Sequence, residues 1–185
     1  MRQRLHLPST TSITVKKRKN MKKTIVIYGS STGTCQEYAE EIAQKLGVSD
    51  VKNVTEMDAE TLAEYDNLLL GTSTWGSGDV QDDWYDGVET LKGADLKGKT
   101  IALFGCGDAT DYSETFCGGM SVIYDAVKDK GAEIIGQVST DSYTYDDSES
   151  VVDGKFVGLA IDCSEDEDET QKRITAWVDS IKDKL

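Results

Sequence analysis

At 185 residues the chain suits one domain, or one domain with a tail, and is long enough for a three-layer α/β core. Its formal charge is −14, which argues against nucleic acid as a partner and for solubility and basic protein partners. No apolar run reaches the roughly 18 residues that a membrane-spanning helix needs.

The first 20 residues differ from the rest. They hold six basic residues (Arg2, Arg4, Lys16, Lys17, Arg18, Lys19) and no acid, so taking those six positive charges from −14 leaves −20 on the remainder. Three readings compete: a disordered tail, a translation start placed upstream of a natural start at Met21, and a targeting peptide, since the stretch is acid-free and contains Arg, Ser and Thr. It lacks the apolar core of a secretory signal. The expectation is a disordered or mis-assigned extension over 1–20 and a folded domain over 21–185. The four cysteines (Cys35, Cys106, Cys117, Cys163) are widely spaced, with no C-x-x-C, and the one histidine is His6. That pattern supports neither a zinc site nor a Cys-His nucleophile pair, and free thiols point to a cytoplasmic protein.

The domain opens with T-I-V-I-Y at 24–28, β-branched and aromatic residues that suit a strand buried on both faces. Residues 29–35 (G-S-S-T-G-T-C) are glycine, hydroxyl and thiol residues without lysine or arginine. Beyond them Tyr38, Ala39, Ile42, Ala43 and Leu46 recur at helical spacing. Strand, hydroxyl-rich turn and helix together offer backbone N–H groups, hydroxyls and the Cys35 thiol to an anion at a helix N-terminus. The turn has neither the Gly-Lys-Ser/Thr ending of a triphosphate loop nor G-x-G-x-x-G, so a single phosphate monoester fits best. A plain polar connection is the alternative.

A short strand at 51–54 follows, then a helical turn at 58–65 with Asp58 as its cap. An apolar strand at 67–72 leads into the polar, glycine-bearing stretch 73–78. Residues 79–91 read as a helix carrying Trp84, Val88 and Leu91, and 100–104 as another apolar strand. The stretch 105–116 is rich in glycine and acids; a helix through Met120, Ile123, Tyr124 and Val127 stops before Gly131. Strand segments at 133–138 and 156–161 are separated by the polar stretch 139–155. A last helix over 166–185 puts Ile174, Trp177, Val178 and Ile181 on one face. This alternation predicts a doubly wound parallel sheet with helices on both faces. Such sheets bind ligands beyond the carboxyl ends of their strands, here at the loops 29–35, 72–80, 105–117 and 162–165. Trp75 and Tyr112, on adjacent loops, would make a slot for a flat ring, whereas Trp84 and Trp177 belong to the core.

Y-G-S-S-T-G-T-C, G-T-S-T-W-G-S-G, L-F-G-C-G-D-A-T-D-Y-S-E-T-F-C and F-V-G-L-A-I-D occur in order within 21–185, and on them the chain resembles the flavodoxins, specifically the long-chain type. The resemblance implies an α/β, flavodoxin-like doubly wound five-stranded parallel sheet of order 2-1-3-4-5 with FMN at the switch point, as is known for flavodoxin itself. It equates 139–155 with the insertion that marks long-chain members. It implies that Ser30, Ser31, Thr32, Gly33, Thr34 and Cys35 cradle the FMN phosphate. Cys35 stands where the family usually has threonine and would serve through its backbone N–H, a thiol being the weaker donor. Thr74, Trp75 and Gly76 would cover the inner face of the isoalloxazine and Tyr112 the outer. Backbone groups of Cys106, Gly107 and Asp108, and of Thr115 to Cys117, would meet its polar edge. Ser164 falls where many relatives have an acid near the ribityl chain, so no contact is assigned to it.

The implied function is a low-potential one-electron carrier on non-covalently bound FMN, an electron-transfer protein and not an enzyme. Asp79, Asp82, Asp83, Asp108, Asp111 and Glu114 would leave an anionic reduced flavin poorly compensated, lowering the potential of the second step. A Gly76-Ser77 peptide turned toward N5 would favour a blue semiquinone, since glycine tolerates the positive φ that a flip often needs. The same acids would steer basic redox partners, such as a flavodoxin/ferredoxin NADP reductase or a pyruvate oxidoreductase, to a monomeric carrier. The acidic run at 162–169 is either part of that collar or a solvated helix start. The alternatives are an FMN-dependent NAD(P)H:quinone reductase of the same fold and a flavin-free partner of one radical enzyme. The insertion, with Tyr143 and Tyr145, is either a partner-binding segment or a folding relic.

Overall fold

The computed structural model describes residues 22–185, so the expectations for 1–20 and for a start at Met21 lie outside the described residues. Its strands form where apolar residues fill both faces. β1 (Thr24–Gly29) sends Ile25 and Ile27 into one core and Val26 and Tyr28 into the other. α1 (Thr34–Leu46) follows, then β2 (Val51–Asn53), a single 3-10 turn, and α2 (Ala59–Glu64). As expected, Asp58 caps α2, its Oδ1 accepting from Thr61 N at 2.7 Å. β3 (Asn67–Trp75) repeats the two-faced pattern, with Leu68 and Leu70 opposite Leu69.

The expected helix at 79–91 starts later. Gly76 (φ 53°) and Gly78 (φ 99°) turn the chain back, and β4 (Asp79–Val80) pairs antiparallel with Thr74–Trp75 before α3 (Trp84–Gly93) begins. The positive φ values available to glycine make this reversal accessible, and it consumes the residues that helical periodicity had claimed. β5 (Thr100–Gly107) and α4 (Gly119–Val127) come next, then β6 (Glu133–Ile135). Gly136, at φ 80°, breaks the expected strand 133–138, and the chain leaves the sheet as β7 (Val138–Ser139). β8 (Val151–Val152) and β9 (Lys155–Phe156) complete a small antiparallel sheet of order β7-β9-β8. β10 (Leu159–Asp162) re-enters the main sheet, and α5 (Glu167–Ile181) closes the chain with one short 3-10 turn after it.

The main sheet runs β10-β5-β3-β1-β2, which is the expected order 2-1-3-4-5. Its fifth position is shared. β6 pairs in parallel with Thr100–Ala102 of β5 and β10 with Phe104–Gly107, while β3 occupies the other edge of β5. The insertion therefore splits one strand into two collinear pieces. α3 and α4 cover one face of the sheet through Trp84, Leu91, Met120 and Ile123. α1 and α5 cover the other through Ala39, Ile42, Ile174 and Trp177. Gly71 is paired with Phe104, and a Cβ on it would sit 2.1 Å from that ring, so the phenyl group occupies the missing side chain's place.

Candidate functional site

Parallel strands end together, so the connections after β1, β3, β5 and β10 gather at one end of the sheet. They surround a cavity of about 230 Å³. The first loop supplies Thr32 and Thr34, and the second Ser73, Thr74, Trp75 and Gly76. The third contributes Cys106, Gly107, Asp108, Tyr112, Thr115, Phe116 and Cys117, and the fourth Cys163. All four loops named from the sequence meet here.

The first loop enters α1 through Gly33 at φ 98°. Gly33 N–H donates to Ser30 Oγ at 3.1 Å and Gln81 Nε2 donates to Ser31 Oγ at 3.2 Å, which fixes both hydroxyls as acceptors and leaves their protons to give. Among the described residues the amides of Ser31 and Thr32 meet no protein acceptor. Those of Thr34 and Cys35 belong to the first turn of α1, where no intrahelical acceptor exists. The cavity wall holds no lysine or arginine, so an anion there is met by amides, hydroxyls and the helix dipole. Ser30, Ser31, Gly33 and Cys35 are not on the cavity wall. Cys35 corrects one expectation: its thiol is no donor to the loop. It stands one turn before Ala39 on the buried stripe of α1 and packs with Val26 and Tyr28, leaving only its backbone N–H for the site.

Trp75 and Tyr112 are 42% and 58% exposed, and both line the cavity. Trp75 Nε1 donates to Ser73 Oγ at 2.9 Å, which sets the indole's orientation. Trp84 and Trp177 are buried, as expected, each donating to a carbonyl of the sheet region, Gly71 O at 2.9 Å and Gly136 O at 2.8 Å. In the third loop Asp108 Oδ1 accepts from the amides of Thr110 (2.9 Å) and Asp111 (2.8 Å) and folds the turn that presents Tyr112. A Cβ on Gly107 would lie 2.7 Å from Cys117 N, so glycine keeps open the space beside that amide. Cys117 sits at φ 51°, and among the described residues its N–H meets no protein acceptor. Its buried thiol faces Gly105 O and Ile161 O, and burial pushes its pKa well up, so it stays protonated.

Ser73, Cys163 and Asp162 were not assigned to the site from the sequence, whereas Phe116 falls within the assigned stretch Thr115 to Cys117. Ser73 flanks an assigned residue, and no periodicity marks it. Asp162 ends an apolar strand and is buried. Its Oδ1 accepts from Ala109 N (3.1 Å), Ser164 N (2.9 Å) and Ser164 Oγ (2.7 Å), tying the third loop to the fourth. A lone carboxylate at the end of a buried strand was the available signal. Ser164 is engaged in this knot, further accepting from Thr110 Oγ1 at 3.0 Å. Cys163, the one exposed cysteine, lines the cavity beside Cys106, and that neighbouring thiol raises its pKa above the ordinary value.

Half-buried Asp108 lines the cavity; Asp79, whose carboxylate lies beside Gly76, and Asp82, Asp111 and Glu114 are exposed, and Asp83 is half-buried. The run 162–169 is partly used by the fold itself: Glu165 pairs with Arg173 at 2.6 Å, Glu169 with Lys172 at 2.5 Å, and Asp162 points inward. Among the described residues no group of His, Cys, Asp and Glu is arranged to hold a metal ion, and no helix is long and apolar enough to cross a membrane.

An amide-rich helix start joined to an aromatic-walled slot, at the carboxyl edge of a doubly wound sheet, defines a protein built to hold a flat-ringed phosphate monoester. The family model described as Flavodoxin matches residues 26–177, and the chain belongs to the flavodoxin family. It is 42% identical over 166 residues to Flavodoxin 1 of Azotobacter vinelandii, covering 86% of this chain and 95% of that one. It is 40% identical over 163 residues to Flavodoxin 1 of Escherichia coli K12, covering 86% and 93%. A crystal structure of Fusobacterium nucleatum flavodoxin bound to flavin mononucleotide superposes with a TM-score of 0.82 at 34% identity, covering 89% of this chain and 99% of that one.

Proposed function

We propose that this flavodoxin is an FMN-based electron carrier that passes single electrons between redox proteins at low potential. The observation that carries the reading is that exposed Trp75 and Tyr112 line one cavity together with Thr32 and Thr34 of the first loop. The FMN-bound Fusobacterium nucleatum relative supports it. When bound, FMN supplies the one-electron chemistry, and the protein contributes binding, orientation and electrostatics.

Ser30, Ser31, Thr32, Gly33, Thr34 and Cys35 hold the phosphate, Cys35 through its backbone alone and Gly33 by the left-handed turn that shapes the loop at the start of α1. Thr74, Trp75 and Gly76 cover one face of the ring and Tyr112 the other. Backbone groups of Cys106, Gly107, Asp108, Thr115 and Cys117 meet its polar edge. The space that glycine leaves at position 107 beside the Cys117 amide fits such an edge. Gly76, already at positive φ, lets the following peptide turn its carbonyl toward the ring nitrogen that takes up a proton. The six acids of the second and third loop regions disfavour added negative charge on the ring, which lowers the potential of the second electron. A wall without lysine or arginine is unsuited to a nicotinamide dinucleotide phosphate in the same slot.

The partners are redox proteins. Their docking faces are basic, as on a flavodoxin/ferredoxin NADP reductase or a pyruvate oxidoreductase, and this chain meets them as a monomer. Free thiols at all four cysteines suit a reducing cytoplasm. The test is anaerobic stepwise reduction of the full chain loaded with FMN. A long-wavelength band that grows and then bleaches marks two separate one-electron steps. Direct bleaching from yellow would replace the carrier reading by a two-electron centre.

A further inference from the structure

The insertion between β6 and β10 holds the backbone of the flavin loop by a series of contacts. Asp146 N and Asp147 N both donate to Ser113 O at 3.0 Å, and Phe116 N donates to Asp147 O at 3.2 Å. Ser148 Oγ donates to Phe116 O at 2.5 Å, and Ser150 Oγ to Cys117 O at 2.7 Å. Both serines are buried, Ser150 completely. The Phe116 ring lies 5.7 Å from Tyr145, 5.8 Å from Phe156 and 6.1 Å from Tyr143, between centroids.

Two consecutive peptides are thus held by their carbonyls. The peptide 116–117 is trans, so its C=O and N–H point in opposite directions. Its carbonyl is fastened to Ser148 on the insertion side. Its N–H, that of Cys117, is therefore aimed away from the insertion, and Cys117 lines the slot with that amide free of protein acceptors. The hydroxyl has little choice of direction, because Ser148 Oγ accepts from Ser150 N at 3.2 Å and its proton is left for Phe116 O. Ser150 secures the next carbonyl and with it the left-handed Cys117, a conformation that costs a non-glycine residue energy and persists only when its surroundings enforce it.

We propose that Ser148 and Ser150 are positioning residues of the flavin site: Ser148 aims the Cys117 N–H at an acceptor on the pyrimidine edge of the ring, and Ser150 locks the adjoining peptide. The inference rests on the FMN reading above and gives the insertion a role inside the site.

The experiment compares full-length wild type with Ser148→Ala, Ser148→Thr and Ser150→Ala. FMN and riboflavin affinities come from flavin fluorescence, the Cys117 amide from its NMR shift on riboflavin binding, and stability from thermal unfolding of the apoprotein. Loss of one aimed hydrogen bond predicts that Ser148→Ala weakens FMN and riboflavin by the same factor, about five- to tenfold. It also shrinks the shift of the Cys117 amide, and Ser148→Thr, which keeps the hydroxyl, recovers both. Ser150→Ala gives a smaller loss of the same kind. Unchanged riboflavin affinity and an unchanged Cys117 shift in Ser148→Ala would overturn the inference, as would a loss seen for FMN alone, which would place the effect at the phosphate loop. Should Ser148→Ala not fold, Ser148→Cys keeps the volume with a weaker donor and is read in the same way. Wild type binding neither flavin would instead remove the FMN reading itself.

Discussion

Trp75 and Tyr112 stand on loops whose backbones are already held by other groups. Ser73 orients the indole, and the Asp108 turn carries the phenol, so neither ring has to pack inward to be ordered. Exposed rings of this kind contribute to a ligand and little to the fold. Trp75→Ala and Tyr112→Ala should each weaken FMN binding by about 1 kcal/mol or more. Fluorescence titration measures that loss, and thermal unfolding of the apoprotein should stay within about 0.5 kcal/mol of wild type. Gly76 is the opposite kind of residue, important for its backbone. A Cβ there would lie 2.7 Å from Asp79 Oδ2 and its φ is 53°, so Gly76→Val meets both a side chain and a disfavoured backbone region. The expected outcome is a lower yield of half-reduced flavin during stepwise reduction; an equal yield would remove the Gly76 peptide from the proton-handling role.

At the scale of elements, β3 and β5 carry the centre of the sheet, and Gly71 is where they share space. Gly71→Ala would drive a methyl group into the Phe104 ring, an overpacking that typically costs about 1–3 kcal/mol, and urea unfolding should show it. α2 has only six residues and depends on its cap. The bonds from Thr61 to Asp58 hold that carboxyl below its ordinary 3.8. A lowered folded pKa means that the charged cap's contribution is full at neutral pH and is lost as pH falls through the folded value. Asp58→Asn keeps a capping oxygen without the charge, so the wild type should lose stability relative to it only in acid, below about pH 4. Parallel stability curves across that range would show that the charge contributes nothing.

Across the whole molecule the charge is strongly negative, at −14. Asp79, Asp82, Asp111 and Glu114 of the second and third loop regions are exposed, while much of the acidic run after β10 is paired or turned inward. Electron transfer to a basic partner should slow steeply as salt is raised, because steering acts over a Debye length that shrinks from about 10 Å at 0.1 M to about 3 Å at 1 M. A rate that is flat with ionic strength would leave the collar without a docking role. Replacing Asp79, Asp82, Asp111 and Glu114 together by amides should raise the second reduction potential, read by spectroelectrochemical titration, and soften the salt dependence.

The alternation of two-faced strands with helices was legible in the chain because it is a local property: apolar residues on both sides of Leu68, Leu69 and Leu70 leave a strand nowhere but the middle of a sheet. The four loops followed from that alternation, and the exposed pair Trp75 and Tyr112 from their place among glycines and acids. Long-range contacts decided the rest. Helical spacing alone could not show that Gly76 and Gly78 turn the chain into β4, or that Cys35 faces the core. Asp162, Ser148 and Ser150 are small polar residues whose partners in the flavin loop lie 32 to 53 residues away. A hydrogen bond is specified by where two backbones meet, and only the closed sheet brings the insertion against the flavin loop.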